Sequence, residues 1–147
     1  MRAAFRVNLK PAREAGPREH TLLADACRMA GQRQAALEYL VEARRLAAET
    51  EERCFLAETV RLTGDVLLAM GDRIGAEAGY REALAIGRQQ NAKLWELRSA
   101  TSLARLWRDE GKGTEAHALL APVYGWFTEG FGTPVLQQER ALLDQLT

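Results

Sequence analysis

Apolar and small residues recur along this chain at steps of three and four, and the pattern repeats every 40 residues. Gly31, Gly71 and Gly111 mark the period. Five residues after each glycine stands an alanine: Ala36, Ala76 and Ala116. Leu40, Tyr80 and Leu120 follow, then Ala43, Ala83 and Val123. Upstream the register also holds. Leu23, Thr63 and Leu103 precede the small residues Ala24, Gly64 and Ala104, and Cys27, Leu67 and Trp107 form a larger column. Steps of three and four draw one stripe along a helix. The glycine ends that helix, because it alone takes the left-handed conformation without steric cost. Each unit is therefore predicted to be a helix, a turn and a second helix, with small residues where the backbones approach.

The pattern predicts helices near 18–30, 33–49, 52–70, 73–90, 92–110 and 114–128, and a last one near 134–146. Thr133 suits an N-cap, and Pro134 suits the first helical position. Pro122 is expected to bend or shorten the sixth helix. Residues 1–17, with Pro11, Gly16 and Pro17, show no period and are expected to be an irregular leader. Residues 18–147 form the repeat domain, with units near 18–50, 51–90 and 91–128.

Composition narrows the function. The chain has 147 residues, 20 basic and 20 acidic, with no formal net charge. Bulk attraction to nucleic acid or to an anionic membrane is not expected. No apolar run reaches the roughly 18 residues of a membrane span, and the N-terminus lacks the apolar core of a secretory signal. Two cysteines, Cys27 and Cys54, are too few for a disulfide scaffold. Cys27 occupies a core column.

The columns resemble the tetratricopeptide repeat: leucine then a small residue, a bulky apolar residue, glycine, alanine, an aromatic or leucine, and alanine. The clearest unit is ETVRLTGDVLLAMGDRIGAEAGYREALAIGRQQ, which carries Gly64, Gly71, Ala76, Tyr80 and Ala83. That family's usual period is about 34, so a period of 40 implies longer helices. The resemblance implies an all-α fold, an α-α superhelix (a solenoid of the tetratricopeptide type) of three long 40-residue hairpins plus a C-terminal helix. A second likeness lies in WELRSATSLARLW and LLAPVYGWFTEGF. These resemble the C-terminal helical tail of bacterial proteins that combine a class III nucleotide cyclase domain with an AAA-type or STAND-like ATPase domain. That likeness implies a bacterial, cytoplasmic, non-catalytic signalling scaffold, because neither catalytic domain fits in this chain.

Candidate chemistry is sparse. GKGTEA, residues 111–116, matches G-x-G-x-x-A, but a dinucleotide site needs a preceding strand. Here a helix precedes, and equivalent places read GQRQAA and GDRIGA, so an interhelical turn is expected. His20 and His117 have no ligand partners at diagnostic spacing. His117 is expected at a helix surface. No metal, cofactor or catalytic set is assigned, and Glu51, Glu52 and Glu58 read as solvated helix face. Of Trp95, Trp107 and Trp126, Trp107 falls in the inter-helix column. Trp126 and Phe127, with Phe131 nearby, are expected to meet the last helix. Packing is the favoured reading for these aromatics; an exposed anchor for a partner is the alternative, and Trp95 is its best candidate.

In the family resembled, the first helix of each hairpin lines a groove. Carried onto this chain, the groove residues are Asp25, Arg28, Arg61, Asp65, Arg98, Arg105, Arg108 and Asp109. Arginine grips carboxylates through paired hydrogen bonds, so the third-repeat arginines are expected to contact an acidic peptide or domain. The alternative is a solvated charged face. One subset of the family clamps C-terminal carboxylates. Its columns here hold Thr21, Asp25, Leu62, Arg98 and Ser102, of which only Arg98 suits the role. The predicted partner is therefore a protein or peptide other than a chaperone tail. Competing expectations are a homodimer formed through an uncapped N-terminal end, or a small-ligand sensor.

Overall fold

The computed structural model describes residues 15–127, 130 and 132–146. Seven helices account for most of them: α1 (Pro17–Met29), α2 (Arg33–Thr50), α3 (Leu56–Ala69), α4 (Arg73–Gln89), α5 (Lys93–Asp109), α6 (Gly113–Gly125) and α7 (Pro134–Leu146). Among the described residues there is no strand.

The glycine columns end helices as their conformational freedom predicts. Gly31, Gly71 and Gly111 have φ of 78°, 89° and 79°. After α1, the Gln32 amide donates to the Cys27 carbonyl at 2.8 Å and the Gly31 amide to Arg28 at 3.1 Å. This pair of hydrogen bonds satisfies the last free carbonyls of the helix. The same pair recurs from Asp72 and Gly71 after α3, and from Lys112 and Gly111 after α5. Asn91, with φ of 53°, makes a fourth such turn after α4. Asparagine tolerates this region better than most residues. GKGTEA thus spans the turn between α5 and α6 and the first turn of α6, an interhelical junction as expected.

The small columns lie where helices meet. Ala36, Ala76, Ala116, Ala43, Ala83 and Ala104 are buried, as are Leu40, Tyr80 and Leu120. Gly64 lets α3 and α4 touch: a Cβ there would lie 2.7 Å from the Tyr80 ring. Burial is divided among three apolar clusters. One joins Ala24, Cys27, Ala36, Leu40, Leu62 and Val66. A second joins Ala76, Tyr80, Leu103 and Leu106. The third runs from Leu84 and Leu97 through Leu120 to Leu136, Leu142 and Leu143.

Every helix packs on its neighbours in sequence. The odd-numbered helices also touch in succession, α1 on α3, α3 on α5 and α5 on α7, while no even-numbered helix packs closely on the next. Several side-chain hydrogen bonds between successive odd-numbered or successive even-numbered helices fall near the repeat period. Thr21 meets Thr59, Arg44 meets Glu82, Arg98 meets Glu58 and Thr101 meets Glu139, at separations of 38, 38, 40 and 38 residues.

Some boundaries differ from expectation. Pro17, placed in the irregular leader, opens α1; residues 1–14 lie outside the described residues. The third helix begins at Leu56 rather than near residue 52. Glu51 ends α2 in the left-handed region, φ 59°. The carbonyls of Arg53 and Cys54 are taken sideways, by Gln90 at 2.9 Å and by the Trp95 indole at 3.0 Å. The Arg53 carbonyl also accepts from the Leu56 amide at 3.1 Å, a single tight turn that leads into α3. The sixth helix carries Pro122 inside it and stops at Gly125, short of residue 128. Thr133 supplies its backbone carbonyl to Gln137, but its hydroxyl turns back to the Gly130 carbonyl at 2.6 Å.

Candidate functional site

Most predicted groove residues gather on the face formed by the odd-numbered helices, but few are available to a partner. Asp25 and Arg28, one turn apart on α1, pair with each other at 2.7 Å. Arg28 also lies close enough to Tyr80 for its charge to act on that hydroxyl.

Arg61 is the centre of a buried network. Its Nε and Nη2 donate to Glu58 at 3.0 and 2.5 Å. Its Nη1 donates to Asp65 at 3.0 Å and to Ser102 Oγ at 3.2 Å. Tyr80 closes the far side by donating to Asp65 at 2.5 Å. From α5, Arg98 donates to both oxygens of the same Glu58, at 3.2 and 3.0 Å. Glu58 is 6% exposed and Arg61 9%. Burial alone would push the Glu58 carboxyl up; the hydrogen bonds and charges of Arg61 and Arg98 overcome this and hold it below its ordinary value. Burial likewise disfavours the Arg61 charge, and Glu58 and Asp65 more than offset it. The Tyr80 hydroxyl is pushed up by burial and by the adjacent Asp65 charge.

One expectation is corrected here. Glu58 is not solvated helix face, because two arginines draw it between α3 and α5. Arg61, Asp65 and Arg98 bond within α3, α4 and α5, and Arg98 and Asp65 stay partly exposed. One signal was present in the sequence: Glu58 and Arg98 differ by the repeat period itself, so a carboxylate and a guanidinium fall at equivalent places on adjacent first helices.

A second buried carboxylate lies farther along. Glu139 of α7 is 3% exposed and accepts a hydrogen bond from the Thr101 hydroxyl of α5. Burial raises its carboxyl above the ordinary value, opposed by Thr101 and by the charges of Arg105, Arg98 and Arg61. Neither Glu139 nor Thr101 was singled out from sequence, since α7 lies beyond the third period. Between α3, α5 and α7 is a cavity of about 100 Å³ lined by Arg61, Arg98, Thr101, Ser102, Arg105, Val135, Gln138 and Glu139. Arg105 is exposed at its mouth. Arg108 donates to Gln145 of α7 at 2.8 Å and to the exposed Asp109 at 3.2 Å.

The tryptophans divide differently from the expectation. Trp95 is half-buried, its indole bonded to Cys54 and packed edge-on to Phe55 at 5.2 Å, so it is not an exposed anchor. Trp126 is 57% exposed, with the Lys93 ammonium 5.5 Å from its ring centroid. Phe127 does pack on the cluster containing Leu136 and Leu143; Phe131 lies outside the described residues. Trp107 lies beneath the Arg81 guanidinium, 5.1 Å from its centroid. Cys27 is buried and free, Cys54 exposed and free. His20 is buried, its Nδ1 2.9 Å from the Gly16 carbonyl oxygen, and His117 is half-buried.

Among the described residues no group of three or more His, Cys, Asp or Glu is placed to hold a metal. No described helix is long and apolar enough to cross a membrane. Comparison with protein-family models returns no match, and no curated protein matches the chain.

Proposed function

We propose that this chain is a non-catalytic protein-interaction module, a short array of the tetratricopeptide type that binds an acidic partner segment along its odd-numbered helices. The observation that carries the reading is the asymmetry of the stack. Odd-numbered helices pack closely in succession, whereas α2 and α4 stand farther apart and meet through the long side chains of Arg44 and Glu82, which bends an array toward its odd face. The common spacing of the inter-helix hydrogen bonds supports the same reading. So does the charge there: Arg105 is exposed and makes no ion pair among the described residues. In the cell the module acts as a cytoplasmic scaffold, the regulatory tail of a bacterial cyclase- or ATPase-type signalling protein, as the C-terminal likeness implies.

The test is copurification from the native host, comparing the wild-type chain with Arg105→Glu/Arg108→Glu. Partners bound through this face are lost by the double variant while its helical circular dichroism is unchanged. Equal recovery of every partner by the folded double variant refutes the groove reading. Arg98 is left alone in this test, because reversing its charge would set two carboxylates against each other at Glu58.

Self-association is a second reading. Leu22 and Met29 on α1 and Val41 on α2 are exposed large apolar residues on the first hairpin. Light scattering decides it: a monomer at high concentration removes this reading.

A further inference from the structure

We infer that the cavity between α3, α5 and α7 is an oxyanion site, taking a phosphate or carboxylate group on Arg105, Ser102 and Gln138. Its lining has more donors than acceptors. Arg61 commits every guanidinium nitrogen, to Glu58, Asp65 and Ser102. Arg98 commits Nε and Nη2 to Glu58, leaving its Nη1 unused. Arg105 makes no hydrogen bond or ion pair among the described residues, and the Gln138 amide makes none either. Ser102 accepts from Arg61, so its own hydroxyl proton has no acceptor among the described residues. The residue is buried, and a buried donor without an acceptor is costly.

Against these donors stands one carboxylate, Glu139, with one oxygen engaged by Thr101. The volume of about 100 Å³ is roughly three times a water molecule's share of the liquid. That admits one oxyanion group, and the open mouth at Arg105 leaves room for the rest of its carrier. Arginine is the side chain best matched to such a group, through parallel charged hydrogen bonds. Glu139 sets the limit on affinity. While ionised it repels the anion, so the site takes its ligand best when this carboxyl is neutral.

The inference rests on the groove reading only for the source of the anion: a free ion, or an acidic side chain of the bound segment. Inorganic phosphate, acetate, and a short glutamate-rich peptide with its all-glutamine counterpart separate the sources. Each is titrated by calorimetry into the whole chain, with chloride holding ionic strength constant. Saturable binding of phosphate or acetate is expected. Arg105→Ala weakens it about 10-fold or more, as for loss of a charged hydrogen bond. Glu139→Gln strengthens it about 5- to 10-fold by removing a nearby like charge.

Absence of saturable binding by every anion means that water alone fills the cavity, and overturns the inference. Equal binding by wild type and Arg105→Ala also overturns it. Peptide binding lost with the glutamine counterpart identifies a partner side chain as the source; binding of the free ions alone identifies a small ligand. If phosphate binds as described while Arg105→Glu/Arg108→Glu captures every partner, the groove reading fails and the anion site stands.

Discussion

The junction of α3 with α5 and the junction of α5 with α7 are set at nearly the same spacing, yet they treat a buried carboxylate in opposite ways. At the first, Glu58 meets Arg98, 40 residues on, and Arg61 on its own helix. Both its oxygens are engaged by guanidinium groups and its carboxyl is held below the ordinary value. At the second, Glu139 meets Thr101, 38 residues back, and its carboxyl is raised by burial. The arginine at this junction, Arg105, forms no bond to it. The first junction uses its charges to join helices. The second leaves charges uncommitted around a cavity. Committed and uncommitted charges thus lie at adjacent junctions along one face, on either side of α5.

Breaking the first junction has the largest expected effect. Arg61→Ala leaves Glu58 and Asp65 without their shared cation, and loss of one partner from a buried pair costs about 3–5 kcal/mol. Urea unfolding measures it, and a loss under about 1 kcal/mol would place the network among weak surface pairs. Glu58→Gln keeps the shape and removes the charge, at a cost of about 1.5–3 kcal/mol at neutral pH.

The two carboxylates also differ in the sign of their pH dependence. Glu58, with its folded value below the ordinary 4.5, contributes stability that is present above 4.5 and lost as pH falls through the lowered value. Glu139, raised above 4.5, contributes most when protonated, and that contribution is lost as pH rises from 4.5 through the raised value. Urea midpoints across this range should therefore rise at neutral pH for Glu139→Gln relative to wild type and fall for Glu58→Gln. The same direction in both variants would erase the distinction.

Thr101→Val removes the one hydrogen bond to Glu139 and is expected to cost about 1–2 kcal/mol. The loss should be concentrated in α7, read as faster amide exchange there than in α3. The smallest effect belongs to Arg105→Ala. With no internal bond, its stability should stay within about 0.5 kcal/mol of wild type. A larger loss would show that Arg105 braces the fold and is not free for a ligand.

What could be read from sequence follows from local constraint. Gly31, Gly71 and Gly111 recur because a left-handed turn strongly favours them, and Ala36, Ala76 and Ala116 because a larger side chain would push neighbouring backbones apart. Such positions carry their reason in their own chemistry. The charged face was less legible. Arg61 and Arg98 read as groove residues, but Glu58, their shared partner, reads locally as one more surface acid. Only a comparison one period away reveals it. Glu139 and Thr101 were illegible for a related reason, since α7 follows a different connection and falls outside the aligned columns. Trp95 was misread because its partner is a backbone carbonyl at Cys54, and residue types do not reveal which carbonyls a helix leaves free.

The narrow spacing of the cross-helix bonds also governs how the chain opens. Arg61–Ser102 and Trp95–Cys54 span 41 residues, and no pair described above spans more. The chain closes these loops cheaply and early, so folding is expected to be fast for its length and able to start in any hairpin. Opening is equally local. α7 packs mainly on α6 and meets α5 at few points, so it is expected to open together with α6 while Glu58 keeps α3 and α5 joined. Amide exchange would then rank the helices by distance from the Arg61 network, with protection greatest in α3 and α5 and declining toward α7.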